Sequence, residues 1–387
     1  MKKSLVLAAV AGLTLAGCVK DDVQSLNAEQ KAIIGFDSPT VTSNVATKAE
    51  VPGEITGTYK YEHNPTAEYT YPKNEKFIIY AVEHTGNFVS WSNSDESDFN
   101  GHVISRIPAI DGWAPLQEDG KGGYTYYFWD NTKKMSFAAI SPSDVKEIAR
   151  YDGNGHTITN FTIPEALDVR YDLMYTELLT NQTSANMVED ASKYYGVPLT
   201  FKHALASIHF SLKNETDAEL VLTKLTLSGV KHTATFKENL GTSDEPSWED
   251  HTNIKDIVPF SGMVKFPITA QYITTILNSV DENDKITDKN SENHYVLTIP
   301  QELNEDVTLK IEYTINGTPA TPKIVHLSDY SSVNQTTHVS TPITSWEMGN
   351  RYTYRLVYTA GSALKDIIAF SPGVTSWNPI DAIIVPL

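Results

Sequence analysis

From Val307 the chain reads Val-Thr-Leu-Lys-Ile-Glu-Tyr-Thr-Ile, apolar and polar in strict alternation, and stops at Asn316-Gly317. A period of two turns one face to a core and the other to water, and Asn-Gly favours a tight hairpin turn. The segment therefore predicts a half-buried antiparallel strand running into a hairpin. Residues 352–356 and 206–213 repeat the alternation and predict the same kind of strand. Residues 77–82, 124–129 and 135–140 are more apolar runs of strand length, as expected of central strands covered on both faces. Helical signals are few, at residues 28–34, 188–195 and 268–280. Twenty Tyr, abundant Thr and Val, and turn residues spread along the chain reinforce an all-β reading.

No short repeat recurs at a fixed period, which excludes a solenoid or propeller. Two sandwich domains in series are the simplest arrangement of so many short strands in a chain of 387 residues. A polar leader spans residues 18–48 and carries one apolar stretch at 32–36. A first strand-rich block covers 49–194 and a second covers 195–387. Residues 242–256 and 281–293 read as long acidic loops.

The segment before the leader has its own logic. Lys2 and Lys3 precede an apolar run over residues 5–15, too short to span a bilayer, which is the charged region and short apolar region of a secretory signal. It ends in Leu15-Ala16-Gly17-Cys18, and Cys18 is the only cysteine of the chain. This ending resembles a bacterial lipobox, in which the cysteine thiol is acylated and cleavage falls just before it, so residues 1–17 are read as signal peptide and Cys18 as the lipidation site. Val19-Lys20-Asp21-Asp22 resembles a short surface-export signal for lipoproteins.

Without residues 1–17, which hold Lys2 and Lys3 and no acid, 370 residues remain and the formal charge moves from −18 to −20. Such a surface repels nucleic acid and anionic headgroups, so attachment to a membrane falls to the lipid.

Chemistry is sparse. A lone cysteine committed to lipid leaves no thiol nucleophile or internal disulfide, and neither a Gly-x-Ser-x-Gly elbow nor a phosphate-binding glycine loop is present. Asp281-Glu282-Asn283-Asp284-Lys285-Ile286, with Glu292 in twelfth place, has the outline of a calcium loop. Lys285 replaces a ligand and Ile286 the required glycine, so it reads as a solvated acidic loop. His203, inside a strand, reads as a packed, hydrogen-bonded histidine. The reading assigns no catalytic, cofactor or metal residue and no enzymatic activity.

Several segments together resemble the fimbrillin family of pilus subunits from gram-negative anaerobes. They are Met135-Ser-Phe-Ala-Ala-Ile-Ser-Pro142 and Tyr171-Asp-Leu-Met-Tyr175, then Leu199-Thr-Phe-Lys-His-Ala-Leu-Ala-Ser-Ile208 and Leu297-Thr-Ile-Pro-Gln301. Trp346-Glu-Met-Gly-Asn-Arg-Tyr-Thr-Tyr354 and Ile368-Ala-Phe370 with Val374 and Trp377 complete the set. The resemblance implies two tandem transthyretin-like β-sandwich domains. It also implies a cell-surface lipoprotein that supports adhesion, with other fimbrial subunits, the outer membrane and a host or bacterial receptor as partners, and no cofactor. In that family a trypsin-like protease cuts the leader after a basic residue, removing a first strand so that a neighbour's C-terminal segment fills the groove. Lys48, followed by Ala49, stands at that cut, where many members carry Arg.

A strand missing from a sandwich leaves backbone groups and an apolar trough ready for strand addition. Here the removable strand falls around residues 33–36, and the candidate donor is Ile380, Ala382, Ile383, Ile384, Val385 and Leu387. Two alternatives stay open at this point. Those last residues could complete the chain's own sheet, and the protein could be a permanently anchored surface lipoprotein that binds glycan or host protein without polymerising.

Overall fold

In a computed structural model of the chain, the residues described are 33–34, 36, 40–42, 76–91, 99–107, 112–116, 127–130, 132–153, 155–164, 172–183, 197–238, 245–265, 296–333, 340–358, 378–379 and 382–384. They form an all-β structure with no α-helix among them; Ser143–Val145 and Leu327–Asp329 are single 3₁₀ turns.

Three sheets carry the fold. The first orders Thr40–Thr42, Thr200–His203, Met174–Thr176, Lys134–Ser141, Phe77–His84, Asn100–Ile107 and Gly112–Pro115 side by side, with Leu179–Gln182 also on Lys134–Ser141. The second is built on Leu220–Lys237, flanked by Ser247–Lys265 along one edge and by Thr308–Ile315 and His156–Thr162 in turn. The third orders Val296–Thr298, Ala206–Asn214, Asn350–Tyr358, Ala382–Ile384, Ser331–Val333 and Ser340–Pro342.

Burial explains the sequence patterns. In Phe77–His84, Phe77, Ile79 and Ala81 enter one core while Ile78 and Tyr80 enter another, so the first sheet is covered on both faces and its middle strand must be apolar throughout. Ile78, Tyr80, Ala138 and Ile140 share their core with Ile158, Phe161, Ala234 and Phe236 of the second sheet. Leu222, Leu225, Leu309 and Ile311 pack with Ile208, Phe210, Tyr354 and Leu356, joining the second sheet to the third. In Thr308–Ile315 only the alternate residues Leu309, Ile311 and Tyr313 are buried, as its alternation predicts. Asn316 and Gly317, both at positive φ (48° and 76°), turn it into Thr318–Pro319.

Three expectations are corrected. Asn350–Tyr358 was expected to be antiparallel, yet it pairs in parallel with Ala206–Asn214 from Ser207↔Arg351 to Asn214↔Tyr358, while Ala206–Asn214 is antiparallel, as expected, to Val296–Thr298 on its other side. Alternation reports which face is buried and carries no information on strand direction. Residues 247–256, expected as loop, belong to Ser247–Lys265, an edge strand exposed over much of its length. Such a strand buries too few side chains to show an apolar period. Ile33–Ile34, at the end of an expected helix, is a strand paired antiparallel with Tyr127–Phe128. Tyr127–Phe128, within the run expected as a strand over 124–129, is that partner; residues 124–126 lie outside the described residues. The other two expected helices and the acidic loop 281–293 lie outside the described residues.

Candidate functional site

Within residues 18–48, Phe36 and Thr40–Thr42 join the first sheet. Thr40–Thr42 runs parallel to Thr200–His203, Val41 opposite Phe201, and forms an end of that sheet. Phe36 acts at the other end. Its N–H donates to the Trp113 carbonyl at 3.1 Å and its own carbonyl accepts the Trp113 N–H at 3.3 Å, while its second side bridges in parallel to Val197. Trp113 lies in the last strand of the sheet and Val197 just ahead of Thr200–His203. One residue thus ties opposite sides of the sheet together.

The Phe36 ring is fully buried. It meets Phe77, Phe99 and Phe137 at centroid distances of 6.0, 6.3 and 5.9 Å, each close to perpendicular. Edge-to-face contacts place the positive rim of one ring on the negative face of the next, worth about 0.5–1.5 kcal/mol per pair beyond burial itself. Trp113, Trp129, Met174 and Phe201 complete the surrounding core.

The C-terminal segment is also in a sheet. Ala382–Ile384 lies between Ser331–Val333, to which it is antiparallel with Ser332 opposite Ile383, and Asn350–Tyr358, which it meets in parallel at Tyr354↔Ile383. Asn378–Pro379 pairs in parallel with Asn350 and Arg351. Ile380, Val385 and Leu387 lie outside the described residues, as do Cys18, Lys48, Ala49 and the 281–292 stretch.

Two buried polar pairs complete the inventory. His203 is buried as expected, and its Nδ1 stands 2.8 Å from Asp172 Oδ2, a partner that sequence spacing could not show because the strand pairing Met174↔His203 creates it. His156 and Glu238 meet between the first and second sheets. The His156 N–H donates to Glu238 Oε2 at 3.1 Å, and the Glu238 N–H donates to the His156 carbonyl at 2.9 Å. Loss of hydration pushes the Glu238 carboxyl up to about 7, countered by the bond from His156, and pushes the His156 imidazole down to about 3. Tyr151 and Tyr80 pack against the imidazole at 4.8 and 5.9 Å between centroids. The His156–Glu238 pair is closed from water, and in the other pair His203 is buried while Asp172 keeps slight exposure.

No cluster of metal-ligating side chains occurs among the described residues. No helix among them is long and apolar enough to cross a membrane.

A sequence profile described as fimbrillin-like matches residues 70–377. No curated protein matches the chain. Among solved structures, it is similar to a fimbrial protein from Bacteroides vulgatus, at 20% identity and a TM-score of 0.43, over 85% of this chain and 95% of that one. It is similar also to a fimbrilin from Porphyromonas gingivalis, at 12% identity and a TM-score of 0.31, over 84% of this chain and 90% of that one.

Proposed function

The chain belongs to the fimbrillin-like family, and from that premise we propose that it is a surface lipoprotein, anchored through Cys18, that serves as a fimbrial subunit supporting adhesion and assembles by strand exchange. Its role in this reading is structural rather than enzymatic. Cleavage between Lys48 and Ala49 removes the leader, and the C-terminal segment of a neighbouring subunit takes its place.

The observation that carries the reading is the seat of Phe36. A leader that passes its backbone between Trp113 and Val197 and its ring into an aromatic core leaves, on departure, unpaired N–H and C=O groups beside an apolar trough. That combination favours addition of another strand. Cutting the purified protein after Lys48 should shift it from monomer to oligomers on size-exclusion chromatography, and a cut protein that stays monomeric overturns the proposal. Replacing Cys18 with Ala should abolish labelling by palmitate and release the protein from the outer-membrane fraction; continued labelling refutes the anchor.

A second reading rests on a different observation. Ala382–Ile384 is flanked on both sides by strands of its own chain. A segment so placed favours a permanently anchored surface protein that binds a glycan or host protein without donating a strand. The mature N-terminus on cells, Cys18 or Ala49, separates the two.

A further inference from the structure

Leu220–Lys237 contributes to two cores. Leu220, Leu222, Leu225, Leu227 and Val230 enter the one shared with the third sheet, and Ala234 and Phe236 the one shared with the first. Its companion Ser247–Lys265 follows it throughout, with Ile257, Phe260 and Val264 in the former core and Trp248 packed on the latter. On the opposite edge the partner changes: Thr308–Ile315 pairs from Leu220 to Ser228, and His156–Thr162 from Thr233 to Lys237. Among the described residues, 229–231 cross between cores outside both ladders on that edge, and pairing resumes at the His232 carbonyl, the acceptor of the Ile163 N–H at 3.0 Å.

The crossing is shaped by a bulge. Leu227↔Ile257 and Val230↔Lys255 leave one extra residue on the Leu220–Lys237 side. Gly229 sits there at φ +79°, and a Cβ on it would meet the Asp306 carbonyl oxygen at 2.2 Å, so no other residue fits without moving backbone.

A side chain stands where the strand is missing. Gln301 Oε1 accepts the Lys231 N–H at 3.0 Å, and its Nε2 donates to the Ile299 carbonyl at 3.0 Å while lying 3.5 Å from the Lys231 carbonyl. A carboxamide offers one acceptor and a donor, as a peptide of a neighbouring strand does. The residue before it reaches the second strand, since the Pro300 carbonyl accepts from His251 Nε2 at 2.7 Å. Leu297 and Ile299 anchor this segment in one core and Val296 and Leu303 in the other.

We propose that Pro300-Gln301 is a staple that clamps both long strands at their crossing, making the two cores one cooperative unit. This is the part played by the Leu297-Thr-Ile-Pro-Gln301 segment. It is independent of strand exchange, although a subunit that bears tension gains from cores that cannot open separately.

Native-state hydrogen exchange on the full-length protein tests it. Leu309→Ala damages only the core shared with the third sheet. In an otherwise unchanged chain it should lower protection at Phe210 and at Phe161, one in each core, by the same factor. In a Gln301→Ala background the loss should be confined to Phe210, and the Lys231 amide should exchange on the order of ten-fold faster or more. Loss confined to Phe210 without the Gln301 change overturns the proposal, as does equal loss in both cores with it. If Gln301→Ala does not fold, Gln301→Met, which keeps the length of the side chain and removes both its acceptor and its donor, serves in its place with the same two outcomes.

Discussion

Two short segments far apart in sequence, residues 36 and 40–42 on one side and 382–384 on the other, are both paired within this chain but held in opposite ways. The first is held at the margins of a sheet and through one ring: Thr40–Thr42 forms an end strand, and Phe36 bridges the two outer margins, Trp113 and Val197, with its ring in an aromatic seat. The second lies inside a sheet, paired on both sides. A peripheral element can leave while the sheet beneath it stays paired, and what it vacates is a trough. An internal strand cannot leave without parting its neighbours, here Asn350–Tyr358 from Ser331–Val333. The contrast suits the first segment to replacement and makes release of the second the costlier step.

Mutations can break this contrast. The largest effect is expected at Phe36. Its replacement by Ala empties a fully buried aromatic site, at about 3–5 kcal/mol. In a thermal melt followed by circular dichroism the transition should fall by several degrees or more, with Phe36→Leu recovering much of the loss. A melt unchanged by Phe36→Ala would mean the ring is not what holds the leader. Deleting residues 380–387 is expected to cost less. The ladder bonds lost beside Ile383 contribute about 0.5–1.5 kcal/mol each, a few kcal/mol in sum. The loss should concentrate in Ser331–Val333 and Ser340–Pro342, seen as faster hydrogen exchange there, with the sheet around Phe36 unaffected. Equal loss in both sheets would remove the distinction between a peripheral and an internal segment.

The sequence makes the middle of each sheet legible because burial writes directly onto residue type. Phe77–His84 and Lys134–Ser141 are apolar on both sides, and Thr308–Ile315 alternates. It is silent on pairing between distant strands: the parallel match of Ala206–Asn214 with Asn350–Tyr358 leaves each strand looking as it would in an antiparallel sheet. Ser247–Lys265 was hidden for a different reason, since an edge strand with Ile254 and Met263 exposed to water carries no burial period. The apolar leader stretch was visible, but the seat of Phe36 depends on Trp113 and Val197, which approach only in the fold. Gln301 resembles any polar residue after a proline until the gap beside Lys231 is seen.

The smallest effect concerns the ground between the two sheets that hold these segments, and there pH is the probe. Glu238 and His156 lie buried where the first sheet packs on the second. The folded state raises Glu238 from 4.5 to about 7, so its contribution to stability is complete below 4.5 and is lost as pH rises through 7. The folded state lowers His156 from 6.5 to about 3, so its contribution is complete above 6.5 and is lost as pH falls toward 3. The two slopes oppose each other between 4.5 and 6.5, and stability should be greatest inside that interval. Glu238→Gln keeps an acceptor for the His156 N–H and removes the first slope. Relative to the unchanged protein, the variant should gain stability steadily from pH 4.5 to 7, by at most about 1.4 kcal/mol per pH unit, and level off above. Melting temperatures of both proteins from pH 4 to 8 measure the difference, and a gain that does not vary with pH would show that Glu238 does not titrate in this interface.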